Sequence, residues 1–370
     1  MVDAKFTIFT KGVNDPMLYA GIDYHKRYSQ VHVIDHSGRT RATVRLANDG
    51  LTVEKFFKSL GEPCAAVLEA GWNWGVMYDW LAAIDNVEQV ELAHPFRVRA
   101  IAAAQVKTDA IDAHTLAQLL RSNLIPRAYI PGVETRRLRE IVRQRVFLVR
   151  VRTMVKNRIH ALLDRYHVPA PAVSDMFGKR GRDYLAKVEL PAGAQELLRQ
   201  DLALLEALTR EVRATEQWLR DSVRGDHRVE LLRTVPGLGD LLATVVALEI
   251  DCIERFASAA KLAAYAGLVP TTYSSGGHTF HGKLMPQTNR WLRWALVEAA
   301  WVAVRLDPYF RTHFANRRAH KPAQSAIIAT ARRLLEVVWH LLKEDRPYQS
   351  RPPTGSQRAL KTSSAALATA

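Results

Sequence analysis

From Met17 to about Ala93 the apolar positions come in short runs of the length and composition of β-strands. Leu18-Tyr19-Ala20-Gly21-Ile22, Gln30-Val31-His32-Val33-Ile34 and Thr43-Val44-Arg45-Leu46 follow one another, with Ser37-Gly38 as a turn between the last two. This predicts a three-stranded meander. A helical stretch over 53–60, a buried run Ala65-Ala66-Val67-Leu68 closing on Glu69, a helix over 74–84 and a strand Val90-Glu91-Leu92 come next. Strands that give way to alternating helices and buried strands predict a mixed α/β sheet.

After about Thr135 the period changes. Ile141, Leu148, Val155 and Leu162 recur every seven residues in one stretch, and Leu198, Leu205, Val212 and Leu219 do so in another. Two long helices over 135–167 and 194–222 are predicted, each needing a partner for its apolar seam. The Pro- and Gly-containing segment between them suits an antiparallel coiled-coil hairpin, which could also pair with a second copy. A third, mostly helical unit runs from about Asp226, interrupted by a polar Gly-rich stretch at 273–282. The predicted organisation is a loose leader at 1–16, an α/β domain at 17–130, a coiled-coil hairpin at 131–225, an all-α unit at 226–345 and a disordered tail at 346–370.

Composition changes this picture in one respect. Lys and Arg number 52 against 37 Asp and Glu, a formal charge of +15, so a polyanion is the expected partner. No run reaches the roughly 18 apolar residues of a membrane span, and no secretory pattern opens the chain, so a cytoplasmic, nucleoid-associated protein is expected. Cys64 and Cys252 are too few for a disulfide framework, and no Cys/His spacing suits zinc. Much of the charge falls on the first long helix, at Arg136, Arg137, Arg139, Arg143, Arg145, Arg150, Arg152, Lys156 and Arg158. That excess is too one-sided for pairing within the helix, and nucleic-acid contact is expected there, although such a run can also be a solvated face.

Four carboxylates stand out. Asp23 ends the first strand, Glu69 ends a buried one, and Asp109 and Asp112 lie three apart at a helix start, hence on one helical face. Each is also a common cap or dipole partner. Gathered in one place they would repel one another and require a divalent cation. An oxygen-rich set suits Mg²⁺ or Mn²⁺, and such ions assist phosphoryl displacement. The order of elements resembles ribonuclease-H-like folds, in which metal carboxylates sit on the first strand, the fourth strand and a later helix. Lys107, His25 and Lys26 could position a phosphate, and Trp72 and Trp74 could stack on a base or serve the core.

Farther along, Val235-Pro236-Gly237-Leu238-Gly239 ahead of an apolar helix resembles a helix-hairpin-helix element, in which Gly237 and Gly239 would let backbone N–H groups approach a phosphate. Ser274 and Ser275 lie in the Gly-rich stretch, and no neighbouring residue activates either one.

The ordered set Gly21-Ile22-Asp23, Leu68-Glu69-Ala70, Lys107-Thr108-Asp109-Ala110-Ile111-Asp112-Ala113, Pro236-Gly237-Leu238-Gly239 and Gly267-Leu268-Val269-Pro270, then Ser275-Gly276, resembles the DEDD transposases of the insertion-sequence 110 family. The resemblance spans about residues 18–342. It implies a RuvC-like domain, a coiled-coil hairpin and a transposase domain carrying a serine. It further implies that Asp23, Glu69, Asp109 and Asp112 bind Mg²⁺ or Mn²⁺, that Ser275 attacks DNA to form a phosphoserine link, and that a structured element RNA guides recombination. The serine and the carboxylates would then meet between protomers of a homo-oligomer. The chain departs from the family where Pro286 and Thr288 precede Asn289-Arg290-Trp291-Leu292-Arg293, in place of a lysine and a glycine. Two other readings remain. A RuvC-like junction resolvase or nuclease would use the same carboxylates with water as nucleophile. A non-catalytic nucleic-acid-binding protein would need only the basic helix and the hairpin.

Overall fold

A computed structural model describes residues 17–101, 108–275, 278–285 and 288–350. The expected leader at 1–16, Lys107, Gly276, Gly277, Pro286 and the tail beyond residue 350 lie outside the described residues. The chain divides into two compact units, before and after the Ile130–Pro131 bond.

The N-terminal unit is a five-stranded mixed sheet. Its strands are β1 (Leu18–Tyr24), β2 (Tyr28–Ile34), β3 (Thr40–Ala47), β4 (Cys64–Glu69) and β5 (Val87–Ala93), in the spatial order β3-β2-β1-β4-β5. The first three form the antiparallel meander; β4 and β5 run parallel to β1. Side chains alternate across the central strands. Leu18, Ala20, Ile22, Cys64, Ala66 and Leu68 face α1 (Gly50–Ser59) and α2 (Trp74–Ala82), where Val53, Phe57, Met77 and Leu81 close the core. Ala65 and Val67 face the other way, onto Leu116, Leu119 and Leu120 of α4 (Asp109–Arg121). A short helix α3 (Pro95–Ile101) follows β5.

Helix α4 reaches β1 by backbone contact. A Cβ on Gly21 would lie 2.0 Å from the Ala113 carbonyl oxygen and 2.5 Å from the Ala117 nitrogen, far inside van der Waals contact. Only glycine lets the helix settle this close to the strand.

The C-terminal unit contains α5 (Val133–Arg165), α6 (Lys179–Leu185), α7 (Ala192–Ser222), α8 (His227–Arg233), α9 (Asp240–Ile250), α10 (Ala259–Tyr265), a hairpin β6 (Pro270–Ser275) and β7 (His278–Leu284), then α11 (Arg290–Leu306), α12 (Pro308–Arg318) and α13 (Ala323–Glu344). The seven-residue seams of α5 and α7 meet within the chain. Val155, Ile159 and Leu162 pack with Leu198 and Leu205, and α6 caps this layer through Leu185. At the other end Leu138, Ile141, Val142 and Leu219 join the core built by α8 to α13.

One local element is unexpected, and one expected boundary is corrected. Within the stretch at 273–282, the residues on either side of Gly276 and Gly277 pair as β6 and β7, with Tyr273 opposite Phe280 and Ser275 opposite His278. Two short β-prone runs separated by two glycines are a hairpin signal, which outweighs the polarity of the segment. The chain after Arg346 does not leave the fold at once. Tyr348 stacks on Phe310 with ring centroids 6.2 Å apart, and its hydroxyl donates to Asp307 Oδ2 at 2.9 Å. Ser350 Oγ donates to the same oxygen at 2.9 Å, and the Tyr348 amide donates to Thr234 Oγ1 at 2.9 Å. Burial and the Asp307 carboxylate push the Tyr348 hydroxyl pKa up.

Glu249, on α9, is the polar centre of the C-terminal unit. Its buried carboxylate meets Arg139 at 3.5 Å and Arg143 at 3.2 Å, and it accepts from Asn289 Nδ2 at 2.8 Å. Asn289 in turn caps α11 by accepting from the Leu292 amide. One carboxylate therefore ties α5, α9 and α11 together.

Substitution at either of these two positions should be felt as instability. Gly21→Ala should destabilise the N-terminal unit by about 1–3 kcal/mol or more through overpacking, read as a lowered denaturation midpoint of that unit. Glu249→Ala strands two arginines and should cost the C-terminal unit about 3 kcal/mol, whereas Glu249→Gln, which can still accept from Asn289, should cost less; urea unfolding followed by circular dichroism checks both.

Candidate metal centre

Register and alternation bring the first two carboxylates together. Ile22 on β1 pairs with Leu68 on β4 in parallel register, the last pair of that ladder, and Asp23 and Glu69 each follow by one residue. Both alternate onto the α4 face, the face that Gly21 clears for the helix. Thr108 caps α4 by accepting from the Ile111 amide at 3.3 Å, which puts Asp109 and Asp112 in the first turn. Carboxylates there are favoured by the helix dipole, so the cap reading and the site reading of these two residues are compatible.

Among the described residues, one group has ligand atoms all within 4.8 Å of one another: Asp23, His25 and Asp109. His25 Nε2 lies 3.1 Å from Asp23 Oδ2 and 3.2 Å from Asp109 Oδ2. The Tyr28 hydroxyl donates to Asp109 Oδ2 at 2.9 Å, and the Arg45 guanidinium lies 3.5 Å over the Tyr28 ring. Asp112 stands outside this tight group, but its charge acts on Asp23. Glu69 is placed by its strand position, half-buried at the end of β4.

The two central carboxylates are driven apart in acidity. Burial raises the Asp23 pKa above its ordinary value, His25 opposes this, and the charges of Asp109 and Asp112 add to the rise. The Tyr28 hydrogen bond holds the Asp109 pKa below its ordinary value. A half-buried carboxylate raised by two like charges has a deficit of positive charge around it, and His25 supplies only part of the compensation. The donor set fits a hard divalent cation, with two to four carboxylates and one imidazole available.

His25, Tyr28 and Arg45 form the part of the site that the sequence marks least. His25 carries a local signal, two residues beyond Asp23. Tyr28 and Arg45 carry none, because they reach the site only through the pairing of β2 with β1 and β3. Lys107 lies outside the described residues.

In the C-terminal unit the backbone of Ser275 ends β6, and Ser274 pairs with Thr279. The hairpin base is locked from below. Gly267 has φ +68°, and a Cβ there would lie 2.2 Å from Thr288 Oγ1 and 2.5 Å from Arg293 Nη2. Arg293 donates to the Met285 carbonyl at 3.1 Å, to the Ala266 carbonyl at 3.3 Å and to Thr288 Oγ1.

The basic positions of α5 separate into two groups. Arg139 and Arg143 meet Glu249, Arg145 meets Glu216, Arg158 meets Asp201, and Arg137 meets Glu134; Arg136 is also engaged. Lys156 lies 4.8 Å from the Phe177 ring. Arg150 and Arg152 have no acidic partner among the described residues. At the α8–α9 turn Gly237 has φ +91° and packs against α11, where a Cβ would lie 2.2 Å from the Ala299 carbonyl oxygen. Gly239, at the N-terminus of α9, faces open space. No helix among the described residues is long and apolar enough to cross a membrane.

Both regions match known families. Residues 20–168, which contain the carboxylates, match a transposase model of the IS110 DEDD type, and residues 229–315, which contain the β6–β7 hairpin, match the Transposase IS116/IS110/IS902 family. A probable family 20 transposase of Pseudomonas aeruginosa is 28% identical, over 89% of this chain and 98% of that protein. An insertion element IS116 protein of Streptomyces clavuligerus is 25% identical, over 91% and 97%. The transposase for insertion sequence element IS1328 of Yersinia enterocolitica is 26% identical, over 76% and 82%. Two models in the same order on one chain, with relatives aligned nearly end to end, place this protein in the IS110 family of insertion-sequence transposases.

Proposed function

We propose that this transposase cuts and rejoins insertion-sequence DNA by divalent-metal-assisted attack of Ser275 on a phosphodiester, acting as a homo-oligomer guided by an RNA of the element. The observation that carries the reading is the convergence of Asp23 and Asp109 at the end of β1, with Asp112 close enough to perturb Asp23. Asp23, Glu69, Asp109 and Asp112 would hold Mg²⁺ or Mn²⁺, with His25 beside them. The bound ion would supply charge neutralisation at phosphoryl oxygens.

In the proposed step the Ser275 hydroxyl gives up its proton and its oxygen bonds to phosphorus. The bond from phosphorus to the departing strand oxygen breaks, and that oxygen leaves as a protonated hydroxyl. Attack by a strand hydroxyl on the phosphoserine reverses the sequence, restores the serine and joins the strands. The number of phosphoester bonds is conserved, so the exchange requires no nucleotide cofactor. A RuvC-like fold for the N-terminal unit and a coiled-coil hairpin built by α5 and α7 belong to the same proposal. Nucleic-acid contact along α5 is assigned to Arg150, Arg152 and Lys156, because the pairing of Arg139, Arg143, Arg145 and Arg158 gives those residues work inside the fold. Gly239 would approach a phosphate at the open N-terminus of α9, whereas Gly237 serves the packing of that turn.

End-labelled element-junction DNA, incubated with Mg²⁺ and protein co-expressed with the flanking RNA, should yield protein-linked label. Ser275→Ala should abolish that label, and Asp23→Asn or Asp109→Asn should lower strand cleavage on the order of 10³-fold or more. Undiminished cleavage by Ser275→Ala would point instead to water as the nucleophile. Arg150→Ala/Arg152→Ala should flatten the salt dependence of duplex binding, by about 0.9 in log–log slope for each phosphate that is no longer neutralised; an unchanged slope would remove α5 from the interface.

A further inference from the structure

The connections that leave the C-terminal ends of β1, β4 and β5 border the Asp23 site within the N-terminal unit, and they carry apolar side chains that the core does not use. Trp72, between β4 and α2, is 83% exposed. Val76 in the first turn of α2, and Phe96 and Ile101 on α3, are each at least half exposed. Single exposed apolar residues are ordinary, but a set of them at one edge marks an interaction surface. Two residues beyond Trp72, by contrast, Trp74 packs against the sheet core and lies edge-on to Tyr78 at 5.9 Å. The fold therefore has room to bury an indole in this region and leaves Trp72 outside.

Charge identifies the occupant. The parts of these connections next to the strand ends, residues 24–28, 70–78 and 94–101, contain Lys26, Arg27, Arg97 and Arg99, and the first acid beyond them on α2 is the exposed Asp79. All four basic side chains are exposed. An exposed aromatic surface flanked by four cations fits a nucleic-acid strand: phosphates meet the cations and a base meets the ring. In a duplex the base faces are stacked and inaccessible, so an exposed indole discriminates for an unpaired strand.

We propose that this edge is a stacking platform for single-stranded DNA, with Trp72, three residues beyond Glu69, stacked on an unpaired base beside the phosphate to be cut. The inference rests on reading the Asp23–Asp109 site as a strand-cutting centre, and it adds that the substrate strand enters that centre unpaired.

Binding of the full-length protein to fluorescein-labelled single-stranded and duplex DNA of the same sequence, in EDTA so that no bond is cut, tests the platform. Trp72→Ala should weaken single-strand binding roughly tenfold and leave duplex binding within about twofold. Trp72→Phe should restore most of the loss, and the salt slope should not change, because stacking releases no counterions. Lys26→Ala/Arg27→Ala should instead flatten the slope. Wild-type single-strand affinity in Trp72→Ala, or equal losses on single strand and duplex, would overturn the proposal. Binding in EDTA is read apart from chemistry: normal binding by Trp72→Ala alongside loss of cleavage in Asp23→Asn rejects the platform alone. The converse pair of results rejects the cutting centre and leaves a single-strand binding surface.

Discussion

The close approach of α4 to β1 at Gly21 is the constraint on which the N-terminal site depends. Strand alternation fixes which face Asp23 and Glu69 occupy, but it cannot bring a helix to them. A side chain at position 21 would hold α4 away from the strand, and the first turn of the helix would move with it. With glycine there, the Ala113 and Ala117 backbone sits against the strand, and Asp109 lands within reach of His25 and Asp23. The packing is also what makes the site electrostatically expensive, since it presses Asp109 and Asp112 toward a carboxylate already half-buried. Tyr28, His25 and the dipole of α4 offset part of that repulsion, and a divalent cation would offset much of what is left.

Much of this is legible in the sequence, for identifiable reasons. The strand meander and the two long helices follow from period, which is a local property. Asp23 and Glu69 can be found because each closes an apolar strand, and Asp109 and Asp112 because they lie three apart at the start of a helix. Tyr28 and Arg45 cannot be found in this way. Their role arises from cross-strand register, and nothing in their neighbours along the chain differs from an ordinary strand. The β6–β7 hairpin is obscured for the opposite reason: its signal is local, but the polarity of the segment masks the two-glycine spacing that joins its strands.

The C-terminal unit shows the same limit for charge. A count along α5 finds a helix crowded with arginine, and it does not register that Glu249, Glu216 and Asp201 come to that helix from α9 and α7. These acids lie tens of residues away or more, and the arginines they meet are partly structural. The departure from the family pattern before Asn289 has a comparable account. Thr288 accepts from Arg293, which also holds the Met285 and Ala266 carbonyls, while Asn289 caps α11 and reaches Glu249. The substituted position is thus integrated into the support beneath the hairpin that carries Ser275.

Internal ion pairs also bear on where the surplus of fifteen positive charges can act. Each such pair uses one acid for one base, so it leaves the net charge unchanged and removes both partners from the exposed balance. Pairing Arg145 with Glu216 and Arg158 with Asp201 leaves fewer acids to neutralise the remaining bases, whereas Glu249, shared between Arg139 and Arg143, holds one positive charge of the surplus inside the fold. The surplus is therefore pushed onto residues without such partners, among them Arg150 and Arg152 on α5. In the N-terminal unit Lys26, Arg27, Arg97 and Arg99 stay exposed on the segments that follow β1 and β5, at the edge where Asp23 and Asp109 converge. Positive rim and negative centre suit a phosphate chain that must be attracted to the site and still leave room for a cation within it.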